Sequence, residues 1–283
     1  MTYRYSHKLA VNRCFQDHAT IASMDTPLLI SPVRAFSDNY IWVIHNRRYA
    51  AVVDPGDADP VHDFLAQNNL TLCGILITHH HADHTGGITD LVRTGDVPVF
   101  GPAAENIPRM NRPVTEAETV HLAPLQLTLQ VIEVPGHTLG HVAYFGHGWL
   151  FSGDTLFGCG CGRLFEGTSA QMLTSLEKLC QLPAGTQVFC AHEYTLDNIA
   201  FALTVEPDNL VLRTRAQHDH ERIANHQPTL PSSLGLEMAT NPFLRCDEPT
   251  VRQYVEHLAG NSINHPVEIF SHLRQMKNHF HPS

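Results

Sequence analysis

Residues 79–84 read HHHADH and directly follow the apolar run CGILIT. Ligands of α/β proteins gather at the carboxyl ends of strands, so a predicted strand that ends in imidazole and carboxylate groups indicates a binding site. Within the spacing H-x-H-x-D-H, His79 and His81 can point one way from an extended turn, while Asp83 and His84 can point to an adjacent position. The chain has 21 histidines, so some clustering is expected by chance. Two ligand groups on one loop nevertheless predict a site for two metal ions.

Three further candidate ligands also follow predicted strands. They are His137 in VPGHTLGH, Asp154 in FSGDT and His192 in CAHEYT. Zinc and similar metals favour imidazole together with carboxylate, and catalytic sites leave one coordination position for water. The recurrence of these residues at strand ends favours a metal centre over a solvated histidine-rich loop.

Short β-rich runs alternate with helical patterns over the first two thirds of the chain, which predicts an α/β fold with sheet inside and helices outside. The predicted strands are 40–45, 49–56, 72–79, 97–102, 127–137, 141–146, 149–154 and 187–193, and the predicted helices are 59–68, 86–94, 169–181 and 193–205. The strands around the PGHTLG loop are expected to be neighbours, a meander that favours mixed sheets over a doubly wound parallel sheet. From about residue 208 the strand signals fade and three helices are predicted.

The charge balance argues against polyanionic partners. The formal net charge is -10, with 18 Lys and Arg residues against 28 Asp and Glu residues, so no basic field would attract nucleic acid or an anionic membrane surface. No apolar run approaches the roughly 20 residues that span a bilayer. A small anionic substrate would require a local cluster of Arg and Lys.

The seven cysteines are scattered and form no C-x-x-C pair, which predicts a reducing, cytoplasmic environment. Cys159 and Cys161 flank a single glycine, a spacing too close for usual thiolate zinc sites, and are interpreted as structural. Residues 1–25 lack the apolar segment of a secretory signal, although their few acids and several basic residues resemble a weak transit peptide. We predict that they form a poorly ordered, dispensable extension.

The motifs H-x-H-x-D-H, P-G-H-T-x-G-H, S-G-D-T and A-H-E-Y-T together resemble the metallo-β-lactamase superfamily. Within it, the stretch GDTLFGCGCGRLFEGT is similar to the hydroxyacylglutathione hydrolases, or glyoxalase II enzymes. The similarity runs from about Asp38 to the C-terminus. It implies an αββα sandwich of two mixed sheets, with a catalytic domain at 26–200 and a small helical, substrate-binding domain at 201–283.

The resemblance also implies a ligand set. His79, His81 and His137 would bind one metal ion. Asp83, His84 and His192 would bind the other, and Asp154 would bridge the two. Zinc is the expected metal, with iron and manganese as alternatives because the same ligands accept them. The remaining histidines are expected to be non-ligands, namely His80 and His141 near the centre and the solvated His218, His220, His272, His279 and His281.

The activity implied by this family is hydrolysis of S-D-lactoylglutathione to glutathione and D-lactate, the second step of methylglyoxal detoxification. Two adjacent ions would lower the pKa of a bridging water from about 15.7 towards roughly 7, and the resulting hydroxide would attack the thioester carbonyl. Asp83 would orient this nucleophile. The leaving thiol has a reference pKa of about 8.5, so a strong general acid is not required.

Glutathione carries carboxylates, so its binding needs local positive charge. Arg274 and Lys277 lie three residues apart on one predicted helix face, and the resemblance implies that they clamp the glycine carboxylate. Arg163 and Tyr194 match family positions that hydrogen-bond the glutathione backbone. Arg163 stands where some members have lysine, and Phe165 stands where some have tyrosine. Phe165 cannot donate a hydroxyl hydrogen bond, which is expected to weaken glutathione binding.

Other readings remain open from the sequence. A glutathione persulfide dioxygenase shares H-x-H-x-D-H but uses one iron and molecular oxygen. A β-lactamase is disfavoured by Asp154, because many of those enzymes have cysteine there. RNA-processing relatives are disfavoured by the acidic balance. A non-enzymatic, metal-supported binding module is a further alternative. A monomer is expected.

Overall fold

Strands and helices alternate along the residues that the computed structural model describes, 27–93 and 95–281. The extension predicted at residues 1–25 lies outside them. The strands are Leu29–Ala35 (β1), Asn39–His45 (β2), Tyr49–Val53 (β3), Thr71–Leu76 (β4), Val99–Pro102 (β5), Arg112–Val114 (β6), Thr119–Leu122 (β7), Leu127–Glu133 (β8), Val142–Gly146 (β9), Trp149–Gly153 (β10), Leu156–Phe157 (β11), Gly160–Cys161 (β12), Gln187–Cys190 (β13) and Ser232–Ser233 (β14). The α-helices are Asp59–Gln67 (α1), Ala82–Thr85 (α2), Ile88–Leu91 (α3), Ser169–Leu179 (α4), Thr195–Val205 (α5), Leu210–Ala224 (α6), Leu234–Thr240 (α7), Pro249–Ala259 (α8) and Pro266–His279 (α9).

Two six-stranded sheets form the centre of the fold, with the orders β1-β2-β3-β4-β5-β6 and β14-β13-β10-β9-β8-β7. In the first sheet β1, β2 and β3 pair antiparallel, whereas β3 to β6 pair parallel. In the second sheet β10 and β13 are parallel and the other pairs are antiparallel. The prediction of mixed sheets is confirmed, including the antiparallel meander of β8 and β9.

Apolar side chains fill three layers. Trp42, Leu129 and Phe151 belong to the cluster between the two sheets. A second cluster lies between the first sheet and helices α1 and α3, and a third lies between the second sheet and the helices α4 and α9. Each fully buried side chain of this size stabilises the fold by about 1.5–3 kcal/mol relative to exposure. The αββα sandwich with a helical C-terminal region is confirmed.

Some elements differ from the predictions. Strands β1 and β6 were not predicted because they contain Pro32 and Pro113, and both strands lie at sheet edges, where proline is tolerated. The helix predicted at 86–94 is a single turn, α3. Gly87 approaches the backbone so closely that an added Cβ would lie 2.7 Å from the nitrogen of Ala58. This glycine permits the close packing but disfavours a longer helix.

The C-terminal third is helical, as predicted, although α7 was not foreseen. Helix α8 begins at Pro249 with Glu248 as its N-cap residue, and the Glu248 side chain makes no capping hydrogen bond. None of the helices in residues 27–93 and 95–281 combines the length and the apolar character needed to cross a bilayer.

Candidate metal centre and substrate cavity

All seven candidate ligands follow strands that end at one edge of the sandwich. Strand β4 leads to His79, His81 and the short helix α2, which carries Asp83 and His84. Strands β8, β10 and β13 are followed by His137, Asp154 and His192, respectively. Both sheets therefore supply side chains to one place, as expected for the carboxyl ends of strands.

The first group consists of three imidazoles. Nε2 of His79 and Nε2 of His137 each lie 3.0 Å from Nδ1 of His81. The Nδ1 atom of His79 lies 3.1 Å from the hydroxyl of Thr78, and the Nδ1 atom of His137 donates to the carbonyl of Arg163 at 2.8 Å. These two contacts fix the tautomers so that the converging Nε2 atoms keep their lone pairs.

The second group consists of Asp83, His84 and His192. Oδ2 of Asp83 lies 3.5 Å from Nε2 of each of the two histidines. The Nδ1 atom of His192 donates to Asp38 Oδ1 at 2.7 Å, which leaves its Nε2 atom for a ligand. Asn39 donates to Asp83 Oδ2 at 3.1 Å, so the neighbouring residues Asp38 and Asn39, at the start of β2, contact two members of this group.

Asp154 lies between the two groups, with one carboxylate oxygen facing each. Oδ1 is 3.4 Å from Nε2 of His84 and of His192, whereas Oδ2 is 3.4 Å from Nε2 of His137. Burial by itself would raise the pKa of the Asp154 carboxyl, but the imidazoles of His84 and His192 hold this pKa well below its usual value. Asp154 is therefore an ionised carboxylate in a buried position.

The donor set fits divalent metal ions. Nε2 of His84 and Oδ1 of Asp154 are buried without a hydrogen-bond partner, whereas Nδ1 of His84 faces Asp54 Oδ2 at 3.1 Å. Buried polar atoms are rarely left unsatisfied, and these two residues face each other across a cluster of nitrogen and carboxylate donors. Imidazole and carboxylate ligands suit zinc, iron and manganese.

The neighbouring histidines make other contacts. His80 is half-buried and lies 3.0 Å from Glu105 Oε2 and 3.4 Å from Glu166 Oε1. His141 is buried, stacks on the ring of His79, and its Nε2 accepts a hydrogen bond from the backbone nitrogen of Asp154. Their contacts are those of supporting residues.

A cavity of about 590 Å³ opens at the centre. It is lined by five of the candidate ligands and by all five residues predicted to bind substrate, namely Arg163, Phe165, Tyr194, Arg274 and Lys277. The ring of Tyr194 stacks on His192 with centroids 4.8 Å apart. Phe165 is 63% exposed, and its ring meets those of His81 and His137 edge-on.

Arg274 and Lys277 project from α9 into this cavity. Arg274 is buried; its Nη1 donates to the carbonyl of Cys161 at 2.7 Å and its Nε to Asn278 Oδ1 at 3.1 Å. Lys277 Nζ lies 3.4 Å from the carbonyl oxygen of Asp197. Burial, together with the nearby Arg274, lowers the pKa of Lys277. The wall of the cavity thus offers two cationic groups.

Several residues at the site were not singled out from the sequence. Asp38, Asn39 and Asp54 contact the second ligand group, and each sits in or beside a turn where acids and amides are common. For Asp54 a signal was present, since it lies in the polar end of the predicted strand 49–56. His281, expected in a solvated tail, is exposed but also lines the cavity.

Two family models match adjacent parts of the chain. The one described as "Metallo-beta-lactamase superfamily" matches residues 35–192, and the one described as "Hydroxyacylglutathione hydrolase C-terminus" matches residues 193–280. The hydroxyacylglutathione hydrolase of Nitrosomonas eutropha is 51% identical over 251 residues, covering 89% of this chain and 98% of that protein. The hydroxyacylglutathione hydrolase of Nitrosomonas europaea is 52% identical over 251 residues, covering 89% and 96%.

Solved structures share the fold at lower identity. ETHE1 from Myxococcus xanthus aligns with a TM-score of 0.61 at 24% identity, covering 90% of this chain and 93% of that chain. The BLEG-1 B3 metallo-beta-lactamase aligns with a TM-score of 0.58 at 24% identity, covering 77% and 99%. These likenesses establish the fold alone.

Proposed function

The chain belongs to the hydroxyacylglutathione hydrolases of the metallo-β-lactamase superfamily, and from this premise we propose that it hydrolyses S-D-lactoylglutathione to glutathione and D-lactate. It is a thioester hydrolase by family. The specific acyl group, the pair of metal ions and the residue roles below are our proposal. In this role the protein would catalyse the second step of methylglyoxal detoxification.

The observation that carries the proposal is the single cavity that joins two kinds of group. A glutathione thioester has its reactive carbonyl at one end and the glycine carboxylate at the other. The cavity is lined by nitrogen and carboxylate donors of the candidate ligands and also by the cationic side chains of Arg274 and Lys277. A substrate that spans the cavity can therefore contact both kinds of group at once.

We assign His79, His81 and His137 to one metal ion, and Asp83, His84 and His192 to a second, with one oxygen of Asp154 for each. This assignment is supported by the convergence of the donor atoms and by the unpaired buried atoms of His84 and Asp154. Zinc is the expected metal, with iron or manganese as alternatives. When bound, such ions supply an activated water at neutral pH and polarise the thioester carbonyl.

Asp83 is suited to orient the attacking water. Its side chain is 41% exposed and lines the cavity, while Asn39 holds one of its oxygens. Burial would raise the pKa of the Asp83 carboxyl, but its contacts with His84 and the hydrogen bond from Asn39 bring this pKa below its ordinary value. Asp83 therefore stays ionised and acts as a hydrogen-bond acceptor for the water.

The cationic wall of the cavity is organised before binding. Arg274 is held by Cys161, Asn278 and the ring of Phe243, 5.1 Å from its guanidinium, and its Nη2 atom takes part in neither hydrogen bond. Fixing a long cationic side chain in advance reduces the entropy lost on binding. Lys277 lies on the same helix face, so that both can meet one carboxylate.

We propose that residues 26–200 form the catalytic domain and 201–283 the helical substrate-binding domain, the latter supplying Arg274 and Lys277. The six cysteines in the described part of the chain are free thiols, which supports the cytoplasmic location predicted from the sequence. The monomeric state stays a prediction.

The test combines turnover with metal counting on one purified sample. Metal-replete protein should consume S-D-lactoylglutathione, followed as loss of thioester absorbance, equally well with and without oxygen, and should hold about two ions per chain. No turnover by metal-replete protein would reject the proposed activity. Dependence on oxygen with a single iron per chain would instead identify a persulfide dioxygenase.

A further inference from the structure

The turn between β11 and β12 is held by four side chains from the helical elements. Asn198 donates to the carbonyl of Gly158 at 3.0 Å, and Asn241 donates to the carbonyl of Gly160 at 2.9 Å. Glu237 accepts from the backbone nitrogen of Cys159 at 2.7 Å, and Arg274 donates to the carbonyl of Cys161 at 2.7 Å. Residues 158–161, which form the turn and strand β12, therefore each bond to a different side chain, and all four side chains are buried.

This hairpin, residues 156–161, has little intrinsic stability. It has two residue pairs, Leu156 with Cys161 and Phe157 with Gly160. Cys159 adopts a left-handed φ of 55°, which is unfavourable for a residue with a side chain. Two-stranded hairpins are marginally stable alone, so the side chains that grip the turn determine where it lies.

The hairpin leads directly to the metal centre and the cavity. Gly162 packs on Asp154 so tightly that an added Cβ would lie 1.9 Å from the Asp154 carbonyl oxygen. The carbonyl of Arg163 accepts from Nδ1 of His137 at 2.8 Å, and the Arg163 side chain lines the cavity. A displaced hairpin would therefore displace the cavity wall.

Glu237 is the central anchor. It is fully buried and accepts from Arg215 Nη2 at 2.7 Å and from Ser232 Oγ at 2.5 Å, besides its bond to Cys159. Arg215 in turn donates to Thr240 Oγ1 at 2.7 Å. A buried ion pair is tolerated where further hydrogen bonds satisfy both partners, as they do here. Neither Glu237 nor Asn241 lines the cavity.

We propose that Glu237 and Asn241 are positioning residues for substrate binding: by fixing the hairpin they set the places of Arg163 and of the Cys161 carbonyl that orients Arg274. This inference rests on the proposed function, because it assumes that Arg163 and Arg274 contact the glutathione part of the substrate. It assigns the buried ion pair of the helical region a role in affinity, beyond its role in stability.

Two variants and one matched control test the proposal. Asn241 Oδ1 accepts a hydrogen bond from the backbone nitrogen of Phe243, and a serine hydroxyl can replace this acceptor. In Asn241→Ser the side chain is nevertheless too short to reach the Gly160 carbonyl, to which Asn241 Nδ2 donates. Glu237→Gln removes the charge opposite Arg215. The control is Glu206→Gln, because Glu206 is also buried and pairs with Arg245 at 2.7 Å, while its side-chain hydrogen bonds go to Arg245 and Thr250 and not to the hairpin.

When assayed with saturating metal, both test variants should raise KM for S-D-lactoylglutathione roughly ten-fold while kcat changes less than about three-fold. The control should lower the melting temperature and leave KM unchanged. Folded variants with wild-type KM would overturn the proposal. If Glu237→Gln does not fold, the milder Asn241→Ser decides the matter.

Hydrogen exchange separates this inference from the proposed function. Backbone amides of residues 157–163 should exchange faster in Asn241→Ser than in wild type or in Glu206→Gln, whether or not the protein hydrolyses lactoylglutathione. Unchanged exchange in that segment would show that the hairpin is held without Asn241. Absence of turnover in wild type would reject the function, not the anchoring.

Discussion

Nδ1 of His137 donates a hydrogen bond to the carbonyl oxygen of Arg163 at 2.8 Å, so one bond joins a candidate metal ligand to the wall of the substrate cavity. The bond fixes the imidazole tautomer and leaves Nε2 for a metal ion. The backbone carbonyl of Arg163 therefore orients a candidate ligand, while its side chain lines the cavity. Substrate binding and metal binding are physically connected at this position.

Asp154→Asn should remove the shared ligand. An amide has one oxygen and one NH2 group, so only one of the two metal ions could bind an oxygen of residue 154. We expect metal content to fall below two ions per chain and kcat to fall by at least about 100-fold. Elemental analysis and the thioester assay measure these effects. Asp197→Asn is the control, because Asp197 lines the same cavity outside the ligand groups; two retained ions in Asp154→Asn would contradict the assignment.

The two ligand groups should differ in metal affinity. The second group contacts the carboxylates of Asp38 and Asp54 directly. The first contacts the neutral Arg163 carbonyl and the Thr78 hydroxyl, which in turn donates to Asp54 Oδ2. Carboxylates behind histidine ligands raise ligand basicity, and their loss weakens metal binding by roughly 10–100-fold. Asp38→Asn should therefore weaken the tighter of two steps in a titration against a chromogenic chelator. Equal weakening of both steps would argue against this asymmetry.

Lys277→Ala and Arg274→Ala should have different consequences. Lys277→Ala should raise KM about ten-fold with little change in kcat, because it removes an interaction made equally in ground and transition states. Arg274→Ala should raise KM and also destabilise the fold by about 1–3 kcal/mol, because Arg274 is buried and bonds to Cys161 and Asn278. Steady-state kinetics and thermal unfolding separate the two. A destabilised Arg274→Ala protein with wild-type KM would leave Arg274 a structural residue only.

Phe165→Tyr should strengthen substrate binding. Phe165 is 63% exposed at the cavity, so an added hydroxyl can reach the substrate without disturbing the core. One new hydrogen bond contributes about 0.5–1.5 kcal/mol, which corresponds to a KM lowered roughly two- to ten-fold. Phe36→Tyr is a matched control, since Phe36 is 61% exposed and is not among the cavity residues. An unchanged or higher KM in Phe165→Tyr would indicate that the phenyl ring faces away from the substrate.

Candidate ligands that directly follow strands could be predicted from the sequence, whereas most of the residues that hold these ligands in place could not. HHHADH and Asp154 were recognisable because an apolar run of β residues stops where polar ligands begin. Asp54 also ends a strand, but its partner His84 is thirty positions away, and a lone acid before Pro-Gly is typical of an ordinary turn.

The contact between Glu237 and the hairpin could not be predicted from the sequence, for a related reason. Glu237 meets Cys159 across 78 positions and Arg215 across 22, and neither contact follows a helical or strand period. Such contacts depend on tertiary packing, whereas periodicity reports only which face of an element is buried. Strands β1 and β6 were missed for a different reason. Each contains a proline, which disfavours a strand by local propensity but is tolerated at the edge of a sheet.

The alkaline limb of the pH profile should depend on Lys277. Burial in the cavity wall, reinforced by the neighbouring Arg274, lowers the pKa of this lysine from its ordinary value of 10.5. A lowered pKa means that Lys277 loses its proton, and with it its attraction for the substrate carboxylate, at a lower pH than a solvated lysine would. Because kcat/KM reports the free enzyme, it should be full while Lys277 is charged and should fall as the pH rises through this lowered pKa.

Lys277→Arg provides the comparison, since a guanidinium stays protonated at pH values where the amine does not. The expected result is an alkaline limb displaced to higher pH in Lys277→Arg, with the acidic limb unchanged. Superimposable profiles of the two proteins would show that the charge on residue 277 does not limit binding, and the carboxylate would then have to be held by Arg274 alone.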